Sequence, residues 1–295
     1  MTKRITNGRR VSAVIPTIGR PELYDAVASA LAQTESLHEV IVAADTSDEL
    51  QLPADPRVTV VRTGPRAGGN VARMAGISAA SGDVIALLDD DDVWHPEKLA
   101  LQLSSLDDSQ RHWLSTTTVQ EPSGRVWPQR LWHAGERLPH YLFRKTAVKG
   151  GQGAMHTSTL VFPRDMVLEH PFDVTLRFHQ DTDWLLRLDK EIPGLDIRQV
   201  VQPLTELRDG GGSVSRGIKP SDSLAWARRA LQHLDKRTRG DFLITVTYFQ
   251  AWRHRDIKTA LRVLVTAFTW GRPGLKTLPA VAILPLKVLT GRGIA

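Results

Sequence analysis

Apolar positions in the first ninety residues fall into short unbroken runs that alternate with segments of helical period. VSAVIP (11–16) is a β-branched run that stops at Pro16 and the turn residues Thr17 to Pro21. ELYDAVASALAQ (22–33) then repeats its apolar positions at helical spacing. EVIVAAD (39–45) and RVTVVRT (57–63) predict two further strands. GGNVARMAGISAASG (68–82) predicts an Ala-rich helix opened by Gly-Gly-Asn and closed by Gly82, and DVIALLD (83–89) a fourth strand. Strands that read as continuous apolar runs are covered on both faces. The order strand, helix, strand, strand, helix, strand therefore predicts an α/β fold, a mostly parallel central sheet with helices on both sides. In such sheets ligands bind at the carboxyl ends of the strands.

The last third is patterned differently. SDSLAWARRALQHLDKRTRG (221–240) reads as one basic amphipathic helix with Trp226, Leu231 and Leu234 on or near one face. TALRVLVTAFTW (259–270) and LPAVAILPLKVL (278–289) are more apolar, interrupted by Gly271, Pro273, Pro279 and Pro285. Charge follows the same division. Residues 216–295 hold 15 Lys and Arg against 4 Asp and Glu, whereas residues 1–215 hold 23 against 28, within a net charge of +6 over 295 residues. The basic surplus is thus confined to a C-terminal helical extension (216–295) beyond a main domain (1–215), and it predicts an anionic partner for that extension alone. Its apolar content fits a lipid or protein surface better than nucleic acid, and no nucleic-acid partner is expected. A helical subdomain that packs on the core or forms a dimer fits the same pattern. The basic start MTKRITNGRR precedes too short an apolar run for a secretory leader, and no apolar run approaches the ~18 residues of a spanning helix. The expectation is a cytoplasmic protein, peripheral at the inner face of the cell membrane through its basic tail. With 0 cysteines, disulfides, thiolate chemistry and Cys-based zinc sites are excluded.

ALLDDDDVWHPEKL (86–99) changes the picture. Asp89, Asp90, Asp91 and Asp92 follow the fourth strand directly, where like charges repel unless a cation is shared. Oxygen ligands at the mouth of a buried strand suit Mg²⁺ or Mn²⁺ bridging to phosphates. The same run also fits an exposed turn that caps the next helix, with Asp92 as its N-cap.

VSAVIPTIGRPELYDAVASALAQ, EVIVAADTSD and GGNVARMAGISAASGDVIALLDDDDVWHPEKL together resemble the nucleotide-binding half of the GT-A inverting glycosyltransferases of family 2. The resemblance is close over about residues 10–105, the nucleotide-sugar side, and looser over about 106–215, the acceptor side. It implies a GT-A fold, a nucleoside-diphosphate-sugar donor (UDP- or dTDP-sugar) and a Mn²⁺ or Mg²⁺ cofactor. It implies that Pro16 and Thr17 line the base pocket, that Asp45 contacts the base, and that Arg73 faces the nucleotide and its phosphates. Asp89-Asp90-Asp91 stands in place of the family's DxD motif, with Asp91 as metal ligand and Asp89 or Asp90 on the ribose or a metal-bound water; Asp92 is read as a cap. Two departures stand out: the acidic turn after the second strand is only Asp45-Thr46-Ser47-Asp48, and Met74 stands where asparagine is common.

An inverting transfer needs a general base for the acceptor. FDVTLRFHQDTDWLLRLDKE (172–191) offers His179, Asp181 and Asp183 ahead of a helix-like WLLRL. On periodicity alone both aspartates are helix caps. The family's acidic pair reads Gln180-Asp181 here, so the resemblance makes Asp181 the base and leaves Asp183 as a supporting or capping residue, with His179 as a packing residue. GGQGAMHTSTLVFPR (150–164) brings His156 and Thr157 beside the acceptor and the sugar by the same resemblance. RDGGGSVSRG (208–217) reads as a closing loop in which Asp209 or Arg216 reaches the metal or diphosphate, or as a plain linker. No QxxRW follows Asp181, so one sugar per encounter to an unknown acceptor is expected. Two other classes share parts of the pattern: a nucleotidyltransferase using the same strand-end aspartates, and a catalytically degenerate GT-A binding module. PTIGRPEL lacks the Gly-rich phosphate loop of the first, and retention of both Asp91 and Asp181 argues against the second.

Overall fold

The computed structural model of the chain describes residues 8–107, 109–208 and 217–289. They form two compact units, one gathering Met1–Trp127 with Met155–Gly211 and the other Pro128–Ala154 with Gly212–Ala295. The segment 128–154, which the sequence reading placed in the main domain, packs with the C-terminal helices.

The first unit is built on one sheet. Its strands are β1 (Val11–Thr17), β2 (Glu39–Ala44), β3 (Val58–Arg62), β4 (Val84–Leu87), β5 (Val93–Trp94), β6 (Trp113–Gln120), β7 (Val126–Trp127), β8 (Val161–Pro163) and β9 (Asp196–Glu206). They lie in the order β3-β2-β1-β4-β8-β6-β9-β5, with β7 beside β6. β3, β2, β1 and β4 are mutually parallel, in keeping with the unbroken apolar runs of β1, β2 and β4. Beyond β4, β8 runs antiparallel to both β4 and β6, while β9 is parallel to β6.

Helices α1 (Leu23–Leu31), α2 (Gly69–Ala79), α3 (Lys98–Ser104), α5 (Arg164–Glu169) and α6 (Gln180–Glu191) belong to this unit, and α4 (Leu138–Phe143) to the other. Side chains alternate across the sheet. Val11, Ala13, Ile15, Val40, Val42 and Ala86 pack with Leu23, Ala26, Val27 and Ala30 of α1 and Leu99 and Leu103 of α3. On the opposite face α2 comes so close that a Cβ on Gly76 would stand 2.6 Å from Val14 Cγ1 and 3.2 Å from Ala43 Cβ. Both faces are therefore covered. The loop after β4, which carries the four aspartates, leaves the carboxyl end of a central strand.

In the second unit, α7 (Pro220–Ala230), α8 (Lys236–Phe242), a π-helical turn at Leu243–Tyr248, α9 (Phe249–Arg253), α10 (Ile257–Thr269) and α11 (Leu278–Leu289) follow α4. The single helix expected over 221–240 is two, because Asp235 starts a new one: its carboxylate accepts from the Thr238 amide at 3.0 Å. Trp226, Leu231 and Leu234, expected along one face of that helix, are all buried. Pro279 stands in the first turn of α11, where a proline is tolerated, and Pro285 lies inside the helix without ending it.

Candidate active site

Thr17 ends β1 and Asp90 follows β4, and the Thr17 hydroxyl donates to Asp90 at 2.6 Å, stapling the two strand ends. The same hydroxyl accepts from the Gly19 amide. The turn so formed aims Arg20 at the aspartates: its guanidinium donates to Asp90 at 2.6 Å and to Asp91 at 3.0 Å. Burial raises the Asp90 and Asp91 carboxyls above the usual range although Arg20 opposes the shift. Asp89 faces the other way, 3.4 Å from Arg73 on α2. Arg73 also donates to Asn70, lies over the Phe172 ring, and keeps a buried Nε with no hydrogen-bond partner among the described residues.

Asp92 is no helix cap. Helix α3 begins six residues later with Glu97 at its N-cap position, while Asp92 is buried and accepts from the Ser158 hydroxyl at 2.5 Å and the Arg208 amide at 3.4 Å. His156 Nδ1 is 3.6 Å from the same carboxylate. Burial pushes Asp92 up to about 6, with Asp89 and Asp91 adding to it against His156 and Ser158.

One ligand atom from each of Asp89, Asp92 and His156 lies within 4.8 Å of the other two. Two carboxylates and an imidazole this close together fit a divalent cation. Asp91, the ligand expected from the sequence, lies in the same loop with its carboxylate on Arg20.

The turn Thr157–Thr159 joins this loop to the candidate base. Thr157 donates to Asp181 at 3.1 Å, and the next residue, Ser158, is the one that donates to Asp92. Asp181 lies in the first turn of α6, where the helix N-terminus favours its charge, and accepts from the Thr182 amide. Asp183 pairs instead with Arg187 one turn on. His179 precedes α6 in a left-handed conformation (φ 53°), and burial lowers it to about 4, so its ring is neutral at pH 7.

Asp45 directly follows β2 at its carboxyl end. Both of its oxygens are taken at 2.7 Å by the amides of Ala67 and Gly68, so it fastens the turn that leads into α2. Gly68 suits that turn because its φ of 113° lies where a side chain is strained. Pro16 lies in β1 opposite Ala43. Thr17, Arg73 and Asp89–Asp91 thus converge on one loop and Asp181 joins through Thr157. Arg20 and Ser158 are additions the sequence reading did not assign, and Asp92, read there as a cap, belongs to the cluster. The candidates Asp209 and Arg216 lie outside the described residues.

Residues 12–170 match the sequence family described as Glycosyl transferase family 2. The amylovoran biosynthesis glycosyltransferase AmsB of Erwinia amylovora is 29% identical over 252 residues, 77% of this chain and 79% of that one. Among solved structures, S. aureus TarS 1-349 in complex with UDP-GlcNAc superposes with a TM-score of 0.58 at 14% identity, covering 97% of this chain and 93% of that one. The mannosyltransferase PcManGT from Pyrobaculum calidifontis, in complex with GDP-Man and Mn²⁺, gives 0.56 at 17% identity, covering 98% and 82%. These likenesses support a GT-A fold with C-terminal helices beside it.

Proposed function

The chain belongs to glycosyl transferase family 2, and on that premise we propose that it moves one sugar at a time from a nucleoside-diphosphate sugar to an acceptor hydroxyl or other nucleophile, inverting the anomeric centre. The observation that carries this reading is the 157–158 turn, from which the candidate base and the acidic loop hang on successive residues.

Asp181 takes the proton of the acceptor nucleophile as it attacks the anomeric carbon from the face opposite the diphosphate. The bond from that carbon to the diphosphate oxygen breaks, and its electron pair leaves with the nucleoside diphosphate. Arg73 and Arg20 bring fixed positive charge to the place where that negative charge develops. Asp89, Asp92 and His156 would hold a divalent cation, Mn²⁺ or Mg²⁺, which supplies Lewis-acid stabilisation of the same leaving group. Asp91 is the alternative ligand. Pro16 and Thr17 border the nucleotide, and Asp45 shapes the wall beside it through the 67–68 turn. UDP- and dTDP-sugars are the first donors to test, with GDP-mannose, the nucleotide sugar of the Pyrobaculum neighbour, beside them. The basic region 216–295 supports a place of action on the cytoplasmic face of a membrane.

The test is a panel of nucleotide sugars with the purified chain and Mn²⁺ or Mg²⁺, scoring nucleoside-diphosphate release by mass spectrometry. Release from one donor should require metal, and Asp181→Asn should slow it by about 10²–10⁴-fold with donor binding intact. Asp92→Asn and His156→Ala should abolish the metal requirement's benefit more completely than Asp91→Asn; the reverse order would return the ion to Asp91. Metal-dependent nucleotide binding without release from any donor would make the chain a binding module.

A further inference from the structure

Helix α10 is turned inside out. It buries Thr259, Ala260, Val263, Thr266 and Ala267 against its own unit and leaves Ile257, Leu261, Val265 and Phe268 each more than half exposed. At ~100° per residue these four fall within an arc of about 80°, a continuous apolar stripe rather than the scattered single residues of an ordinary surface. Lys258 and Arg262, both exposed, border the stripe along one side. From Phe249 to Leu289 there are seven Lys and Arg against one acid, Asp256. That acid is itself occupied as the α10 N-cap, accepting from the Thr259 amide at 2.9 Å. Leu275 in the following turn and Leu286 on α11 are also exposed. No helix among the described residues is long and apolar enough to cross a membrane.

We propose that the Ile257–Leu261–Val265–Phe268 face of α10 docks on an anionic lipid bilayer, lying in the plane of the interface with Lys258 and Arg262 at the headgroups. The proposal rests on the membrane reading of the basic region and gives it a surface; it is independent of the transfer chemistry. Charge decides between occupants. An anionic surface is complementary to the cationic border, whereas a second copy of this face would bring the same cations against themselves. An exposed apolar stripe with a basic border and no spanning length is the pattern of a helix that lies on a membrane.

The test is co-sedimentation of the full chain with phosphatidylcholine vesicles and with vesicles of phosphatidylcholine and phosphatidylglycerol. The wild type should bind only the second kind, less as salt rises. Leu261→Ser with Phe268→Ser, and separately Lys258→Glu with Arg262→Glu, should each weaken binding about ten-fold or more, with nucleoside-diphosphate release in solution unchanged. These side chains are exposed, so thermal melting should match the wild type; the charge pair keeps the test open if the serine pair does not fold. Binding by the wild type that both pairs retain would sink the α10 face alone and leave a membrane contact elsewhere. No vesicle binding by the wild type would sink both. A dimer that the serine pair splits, without lipid binding, would assign the stripe to a second copy and overturn the proposal.

Discussion

Lys98 carries a charge problem that no ion pair resolves. Its side chain is fully buried in the first turn of α3, with Nζ 4.3 Å from the centre of the Trp94 ring and no hydrogen-bond partner among the described residues. Burial drives its pKa well below the ordinary 10.5. In the window between the two values the unfolded chain holds a proton that the folded one has released, so unfolding takes up a proton and stability rises with pH. Lys98→Met keeps the length and removes the amine. It should raise stability by ~1–3 kcal/mol and flatten the rise with pH on the acid side of the ordinary lysine value, read by urea unfolding at two pH values there. A slope unchanged in the variant would show that another group titrates there. At this scale the sequence conveyed kinds of residue better than partners. The four aspartates raised the expectation of a cation, but that Asp92 is buried with His156, sixty-four positions away, depends on a turn that only the folded sheet brings alongside. Arg20 was equally hidden: one arginine in PTIGRPEL has no periodicity to mark it, and its role comes from Thr17 stapling two strand ends.

Covered parallel strands were the most legible, because burial on both faces leaves the apolar runs of β1, β2 and β4; these strands, the half-exposed edge strand β3, α1 and α2 lie where the pattern put them. β6 left no such trace. Its Ser115, Thr116, Thr117 and Thr118 are all buried, with Thr116 paired to Thr159 in the neighbouring turn at 2.7 Å and Thr118 donating to the Val201 carbonyl of β9 at 2.7 Å. A polar run can be core when its hydrogen bonds are met at home. The fit of α2 on β1 makes a prediction at the same scale. Gly76→Val would drive branched carbons into Val14 and Ala43 and displace the helix that holds Arg73. The expected cost is ~1–3 kcal/mol, seen as a lower Tm, together with weaker nucleotide binding. Wild-type melting and binding would mean that α2 can shift without consequence.

For the whole molecule, the charge division was plain in the sequence while the partition of the chain into units was not. Residues 128–154 have little pattern of their own, and their partners come about a hundred positions later. Phe143 on α4 meets the edge of Phe242 at 4.9 Å, the Lys145 amide donates to the buried Asp241, and Gln152 donates to Thr245. A chain ended at residue 215 would keep the acidic loop and Asp181 yet strip these partners away. It should run as an aggregate on size exclusion where the full chain is monodisperse. A well-behaved 1–215 fragment melting like the full chain would contradict the pairing.

Synthesis gives that discontinuous unit a clock. A ribosome that has just added Phe143 still has 242 − 143 = 99 residues to join before Phe242 exists, about 5–20 s at roughly 5–20 residues per second. The sheet around the acidic loop can close in that interval, since its last strand ends at Glu206. Helix α4 has yet to meet α8, and the Phe143 side chain waits for its ring partner until Phe242 is made. The interval is when a chaperone would have most to do, and a slow codon placed after Glu206 would lengthen the wait without changing a single residue of the finished protein.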